Sequence, residues 1–215
     1  MSTNEYEGQY YINEILAEQS LRTKTKCPYI FFKRFFDFVF ALLLIVPCTI
    51  VMFIFGLLVK LESDGPMLYS QKRVGKNGKY FTIYKLRSMY ENADTLGPLY
   101  TAEEDNRITR VGKIIRKFRI DELPQLRNIL CGEMSFIGPR PLTGYEYDIS
   151  DHDFNQRLLV LPGLSGLAQV SGGNKHTNEQ KLKCDLNYIR HLSLKLDFKI
   201  LCKTIVVILS GNGAR

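Results

Sequence analysis

Between Asp37 and Lys60 the chain reads FVFALLLIVPCTIVMFIFGLLV, an uncharged run long enough to cross a hydrocarbon core as a helix. Everything after it must therefore fold beside a lipid surface. The run starts too far into the chain for a signal peptide, and it lacks a small-residue cleavage site. Pro47, near its middle, removes a backbone donor and clashes with the preceding turn, which predicts a bend there. Basic residues flank both ends, Lys33 and Arg34 before and Lys60, Lys72 and Arg73 after. A cytoplasmic bias at both ends is met more easily by dipping in and returning than by crossing. The residues alone leave two arrangements open, a re-entrant hairpin broken at Pro47 and a single kinked spanning anchor, since proline is tolerated in spanning helices.

Charge narrows the partners. With 29 Lys and Arg against 22 Asp and Glu in 215 residues, the net +7 suits lipid headgroups, nucleotides, phosphates or nucleic acid. No recognition-helix, zinc or aromatic-platform signature accompanies the basic residues, which argues against nucleic acid. The five cysteines are odd in number and widely spaced, with no C-x-x-C pair, which fits a reduced compartment. His152, His176 and His191 have no partners at metal-ligand spacing, so a structural zinc site is not expected.

Residues 1–29 form a polar extension, 30–60 the membrane segment, and 61–215 one catalytic unit. Met67–Gln71 and Lys79–Leu86 read as strands joined through Val74-Gly75-Lys76-Asn77-Gly78, whose Asn-Gly favours a tight hairpin turn. Phe81 and Ile83 are expected on its buried side. From Asn106 to Arg119, Ile108, Val111, Ile115 and Phe118 recur at helical spacing among basic residues, the pattern of a helix lying in a membrane interface. A second helix is expected from Asp121, as N-cap, to Gly132. Further helices are expected near 145–160, over Glu179–Ser193 and over Asp197–Leu209, the last with an apolar stripe suited to a core or an interface. The fold class that follows is α+β, mostly helical, with a small β-hairpin.

The chemistry concentrates between Arg110 and Leu142. Asp121 and Glu122 are adjacent carboxylates at a helix start, where cap and dipole are a sufficient structural explanation. Yet Arg107, Arg110, Lys113, Arg116, Lys117 and Arg119 precede them without one intervening acid, and Arg140 lies between two prolines afterwards. Arginine forks match phosphate oxygens, and fixed positive charge offsets charge on a transferring phosphoryl group. One carboxylate can accept a phosphoryl group while its neighbour holds a magnesium ion.

Together KRFFD and its Pro-containing hydrophobic run, QKRVG, YKLRSM, DELPQL, MS-x-x-GPRPL, LPGLSGLAQV and D-x-x-Y closely resemble the monotopic phosphoglycosyl transferases among the bacterial sugar transferases, over roughly residues 32–205. The resemblance implies a monotopic protein of the bacterial inner membrane. Its membrane hairpin would break at Pro47, and its catalytic domain would lie on the cytoplasmic face. It further implies transfer of a phosphosugar from a UDP-sugar to a polyprenyl (undecaprenyl) phosphate, with release of UMP, as the first step of a lipid-linked glycan. By motif match Asp121 is the nucleophile and Glu122 the Mg²⁺ ligand, while Arg116 and Arg140 contact phosphate. Lys85, Arg87, Pro139, Asp185 and Tyr188 are weaker carry-overs. Three departures stand out. Arg119 replaces the family's serine, Leu167 its tryptophan, and Ser171-Gly172-Gly173-Asn174 the usual Asn-Gly-Arg-Asn, so an arginine associated with the nucleotide end of the donor is absent. That last departure favours the alternative of an inactive, membrane-anchored scaffold binding anionic lipid. The intact Asp121, Glu122, Arg116 and Arg140 oppose it. The sugar, the pathway and homo-oligomerisation are left open.

Overall fold

A computed structural model describes residues 27–93, 105–144 and 155–210. The polar extension to residue 26 and the start of the helix expected near 145–160 lie outside them. Helix α1, Cys27–Glu62, contains the whole hydrophobic run and passes through Pro47 without interruption. The break expected at the proline does not divide the helix, because packing and end contacts hold it on both sides of the missing hydrogen bond. Ala41 and Val59 are fully buried, and Ile45, Cys48, Met52 and Phe55 fall between them on the same stripe. Alternating steps of four and three residues keep those side chains on one helical face, which the rest of the protein covers. The other faces stay apolar and exposed, with Phe31, Leu43, Val46, Ile50 and Phe53 each more than half accessible. An apolar surface of that extent marks contact with a membrane, and α1 is the one helix among the described residues long and apolar enough to cross it.

Charged residues at both ends of α1 engage protein. Lys33 pairs with Asp197 at 2.9 Å, the Arg34 guanidinium donates to the carbonyls of Ile129 (2.6 Å), Leu130 (3.3 Å) and Met134 (3.4 Å), and Asp37 accepts from the Phe136 amide at 3.1 Å. At the far end Glu62 accepts from the amides of Arg110 (2.6 Å) and Val111 (2.9 Å). Lys33 and Arg34, read in the sequence as flanking charges, are thus structural donors.

Strands β1 (Leu68–Val74) and β2 (Tyr80–Leu86) pair antiparallel as expected. Asn77 and Gly78 both take positive φ, 58° and 71°, beneath a Lys79 N–H to Lys76 O bond, the type I′ geometry that Asn-Gly favours. Phe81 and Ile83 point into the core. Two strand pairs were not expected. A short strand, Leu142–Thr143, adds to the free edge of β1, and Ser135–Ile137 pairs in parallel with Gly163–Ser165. In chain order these are β4, β3 and β5. Segments of two or three residues are too short to show a hydrophobic period.

Helix α2, Arg110–Lys117, is capped by Thr109, whose hydroxyl accepts from the Gly112 amide. A 3₁₀ turn, Ile120–Gln125, leads into α3, Leu126–Leu130. The continuous helix expected from Asp121 is therefore two short pieces, with Pro124 inside the first. Helix α4 is Leu167–Ser171, α5 is Asn178–Arg190, opened by a Thr177–Gln180 capping box, and α6 is Leu194–Ser210. The stripe expected on α6 faces outward, with Phe198, Ile205 and Leu209 exposed, while Ile200 on the opposite side is the core contact. It is a surface stripe, continuing the apolar exterior of α1, to which Lys33 and Tyr29 bind this helix through Asp197.

Candidate active site

The turn bearing Asp121 and Glu122 has an unusual entry. Arg119 sits in the left-handed region (φ 55°, ψ 27°), a conformation disfavoured for a side chain of its size, and reverses the chain between α2 and the turn. No side chain caps the 3₁₀ segment, so Asp121 is not the N-cap. That removes the cap from the structural explanation of the pair and leaves the favourable position of both acids in the first turn. The turn packs on β2. Asn128, fully buried, holds the following helix there by donating to Thr82 O and to Glu133 Oε2, each at 2.7 Å.

Three cations surround Glu122: Arg140 Nη1 at 3.3 Å, Arg119 Nη1 at 3.5 Å and Lys85 Nζ at 3.6 Å. Burial alone would push this carboxyl upward, but Lys85, Arg140 and Arg119 together outweigh it and hold it at about 2. Asp121 moves the opposite way, to about 6, driven first by burial and then by the Glu122 charge, with Lys85, Arg116 and Arg140 only partly offsetting them. Two adjacent carboxyls pushed apart in this manner hold different charge roles. Burial also lowers the Lys85 ammonium, against the pull of Glu122.

A narrow cleft open to solvent lies beside the pair, lined by Arg73, Lys85, Glu122, Gln125 and Arg140 together with Ile83, Pro141, Gly163 and Leu164. Glu122, not Asp121, lines it. Asp121 lies just behind, nine-tenths buried, and the Arg140 side chain at the mouth is 46% exposed and has room to move.

The structure therefore brings together Lys85, Arg116, Asp121, Glu122 and Arg140 from four separate segments. Arg87 goes elsewhere. Its guanidinium donates to Asp64 O and, at 2.7 Å, to Ser63 O, bracing the exit from α1. Tyr188 is buried with its hydroxyl donating to Asp197 Oδ1 (2.8 Å) and Ile137 O (3.2 Å), and so supports the strand before the Gly138–Pro141 loop. Asp185 pairs with Arg157 at 2.7 Å, and Arg157 also donates to Arg140 O at 3.3 Å, so Asp185 reaches the site only through that loop. Pro139, with Arg140 and Arg157, lines a second cleft on the loop's other side. Arg73 and Gln125 are the side chains that sequence reasoning missed. Both lie inside quoted motifs, QKRVG and DELPQL, and Arg73 Nη1 donates to Pro141 O at 3.1 Å. Nothing local marks either as facing a cleft.

The carboxylate pair suits Mg²⁺. This ion uses one or two protein carboxylates and completes its octahedron with substrate phosphates and water. No cluster of three or more metal-binding side chains occurs among the described residues, so such a site would need the substrate to complete it.

The family model described as bacterial sugar transferase matches residues 28–211. The chain is 45% identical over 207 residues to a UDP-N-acetylgalactosamine-undecaprenyl-phosphate N-acetylgalactosaminephosphotransferase of Aeromonas hydrophila, a match covering 93% of this chain and 49% of that protein. It is 40% identical over 182 residues to the uncharacterized sugar transferase EpsL of Bacillus subtilis, covering 84% and 89% respectively. It is also 40% identical over 190 residues to a UDP-glucose:undecaprenyl-phosphate glucose-1-phosphate transferase of Caulobacter vibrioides, covering 85% and 71%. The chain thus spans about half the length of the Aeromonas relative and most of the Bacillus one.

Proposed function

The chain belongs to the bacterial sugar transferase family, and on that premise we propose that it is a phosphoglycosyl transferase moving a sugar-1-phosphate from a UDP-sugar to undecaprenyl phosphate. Two of the relatives named above carry that acceptor and a UDP-sugar in their names, with different sugars. The observation that carries the reading is an Asp-Glu pair set beside a cationic cleft, with Lys85, Arg119 and Arg140 from separate segments within 3.6 Å of Glu122. Those cations hold the Glu122 carboxyl down, whereas burial and the Glu122 charge push Asp121 up.

In this reading Asp121 Oδ attacks the phosphorus bonded to the sugar. The bond from that phosphorus to the bridging oxygen breaks, and UMP leaves with the electron pair. A phosphate oxygen of the polyprenyl acceptor then attacks the same phosphorus and expels the Asp121 carboxylate, regenerating the enzyme. Arg140, exposed at the cleft mouth, exchanges Glu122 for the diphosphate and in moving opens the way to Asp121. Lys85 and Arg116 remain to offset charge on the transferring group. Glu122 would hold Mg²⁺, which when bound neutralises diphosphate charge. The apolar exteriors of α1 and α6 would seat the catalytic face at the cytoplasmic side of the inner membrane, where the acceptor's phosphate is found. That both ends of α1 engage the catalytic unit supports a helix that enters and leaves the bilayer on the same side.

The test is UMP release by the purified full chain in nanodiscs, with Mg²⁺, undecaprenyl phosphate and a panel of UDP-sugars. Release with at least one donor, abolished in Asp121→Asn, is expected. Silence with every donor, or full turnover in that variant, overturns the proposal. One observation favours a second assignment, since Glu122 rather than Asp121 lines the cleft. Trapping the phosphosugar on the protein and locating it by mass spectrometry decides between the two carboxylates.

A further inference from the structure

The turn carrying Asp121 has little to hold it from within. It is a 3₁₀ segment with weaker hydrogen-bond geometry than an α-helix, entered through a left-handed arginine and uncapped by any side chain. Strand β2 packs against it, and at its two ends it continues into helices that are short, eight residues before and five after. Short helices need their terminal amides and carbonyls satisfied from outside.

We propose that the membrane helix does this at both ends, and that Arg34 and Glu62 are positioning residues for the reaction. At the far end of α2, the first free amides, those of Arg110 and Val111, donate to the two oxygens of Glu62, while Thr109 takes the amide of Gly112. At the far end of α3, the last carbonyls, those of Ile129 and Leu130, accept from the Arg34 guanidinium, which also reaches Met134 O. The two caps come from opposite ends of one helix. Between them the buried stripe of α1 fills the core under both flanking helices: Ala41 packs with Leu126 and Ile129, and Val59 with Ile115. The helix that sits in lipid is therefore also the strut across which α2, the Asp121 turn and α3 are stretched. Neither Arg34 nor Glu62 lines the cleft, so they act only through the turn they hold. Gly132, with a φ of 82° that favours glycine, reverses the chain just after α3.

This inference rests on the transferase reading, and its test separates the two. Full-length wild type, Glu62→Gln, Arg34→Gln and Arg34→Lys are compared in the same nanodiscs, by UMP release and by amide hydrogen exchange at residues 109–131. Wild-type inactivity with every donor sinks the transferase reading and leaves the exchange arm to judge the strut. With an active wild type, Glu62→Gln and Arg34→Gln should lower kcat by about tenfold to a hundredfold, the scale of a small misplacement at a reacting centre. KM for the donor should stay within about twofold, because the cleft side chains are unchanged. Arg34→Lys should recover part of the loss, since an ammonium still donates to a carbonyl but cannot span three. Faster exchange should be confined to 109–131. Wild-type kcat in both Gln variants, a loss carried by KM alone, or loss of protection spread over β1 and α5 as well overturns the strut. Should Glu62→Gln fail to fold, Arg34→Lys and its exchange pattern still decide.

Discussion

Asp185 offers the sharpest physical test of the second layer behind the cleft. Its carboxyl is 1% exposed and pairs with Arg157 at 2.7 Å, yet burial outweighs that partner and raises it from the usual 3.8 to about 6. The folded state therefore holds this proton more tightly than the unfolded chain does. For an acid shifted upward, the stabilising contribution is complete below the unfolded value and is lost as pH rises through the folded one. At 1.36 kcal/mol per pH unit, the gap between 3.8 and about 6 amounts to ~3 kcal/mol, lost between roughly pH 4 and pH 6. Asp185→Asn removes the titration and keeps the shape. The stability of the variant relative to wild type should thus improve by ~3 kcal/mol on going from pH 4 to pH 7. For a chain of this size that is about 6–12 °C in the difference between their melting temperatures. The assay is thermal unfolding of both full-length proteins in one detergent across that range, read as the difference so that other carboxyls cancel. A difference independent of pH, or one in which the wild type gains on the variant as pH rises, refutes the reasoning. It would mean that the Arg157 pairing outweighs burial.

Other outcomes follow from the site itself. Because Asp121 must be ionised to attack and its carboxyl is raised to about 6, kcat/KM for UMP release should fall about tenfold per pH unit below that value and level off above it; a flat profile from pH 5 to 8 would refute the raised carboxyl, because an ordinary one is ionised across that range. Arg140→Ala should raise KM for the donor and lower kcat, and Arg140→Lys should restore little, because a single ammonium cannot fork onto a diphosphate. EDTA should stop turnover and added Mg²⁺ restore it, measured on the same preparation. A Cβ at Gly163 would collide with the Gly138 backbone and with Ser165 O, so Gly163→Ala should lower unfolding stability by about 1–3 kcal/mol, seen as an earlier melting transition.

Much of the fold was legible locally. The uncharged run announced α1, the Asn-Gly pair its type I′ turn, and the alternation at Phe81 and Ile83 the buried face of β2. Each signal is a period or a turn preference contained in a few consecutive residues. What was hidden depended on partners distant in sequence. The strands at Ser135–Ile137 and Leu142–Thr143 exist because Gly163–Ser165 and β1 offer them edges. Arg87, two residues from Lys85, would share its face if the strand continued, but it falls just past the end of β2, where its guanidinium meets the carbonyls of Ser63 and Asp64.

By itself the amino-acid sequence determined that this chain meets a membrane, that it carries an Asp-Glu pair among arginines, and which family it resembles, because hydropathy and motif are properties of order along the chain. Only the tertiary structure decided that Glu122 lies among three cations while Asp121 is buried beside it, and that Arg34 and Glu62 contact the helices on either side of their turn. Those outcomes depend on burial and on distances of three to four ångströms between charges from separate segments, and Coulomb energy and desolvation are set by where groups end up in space.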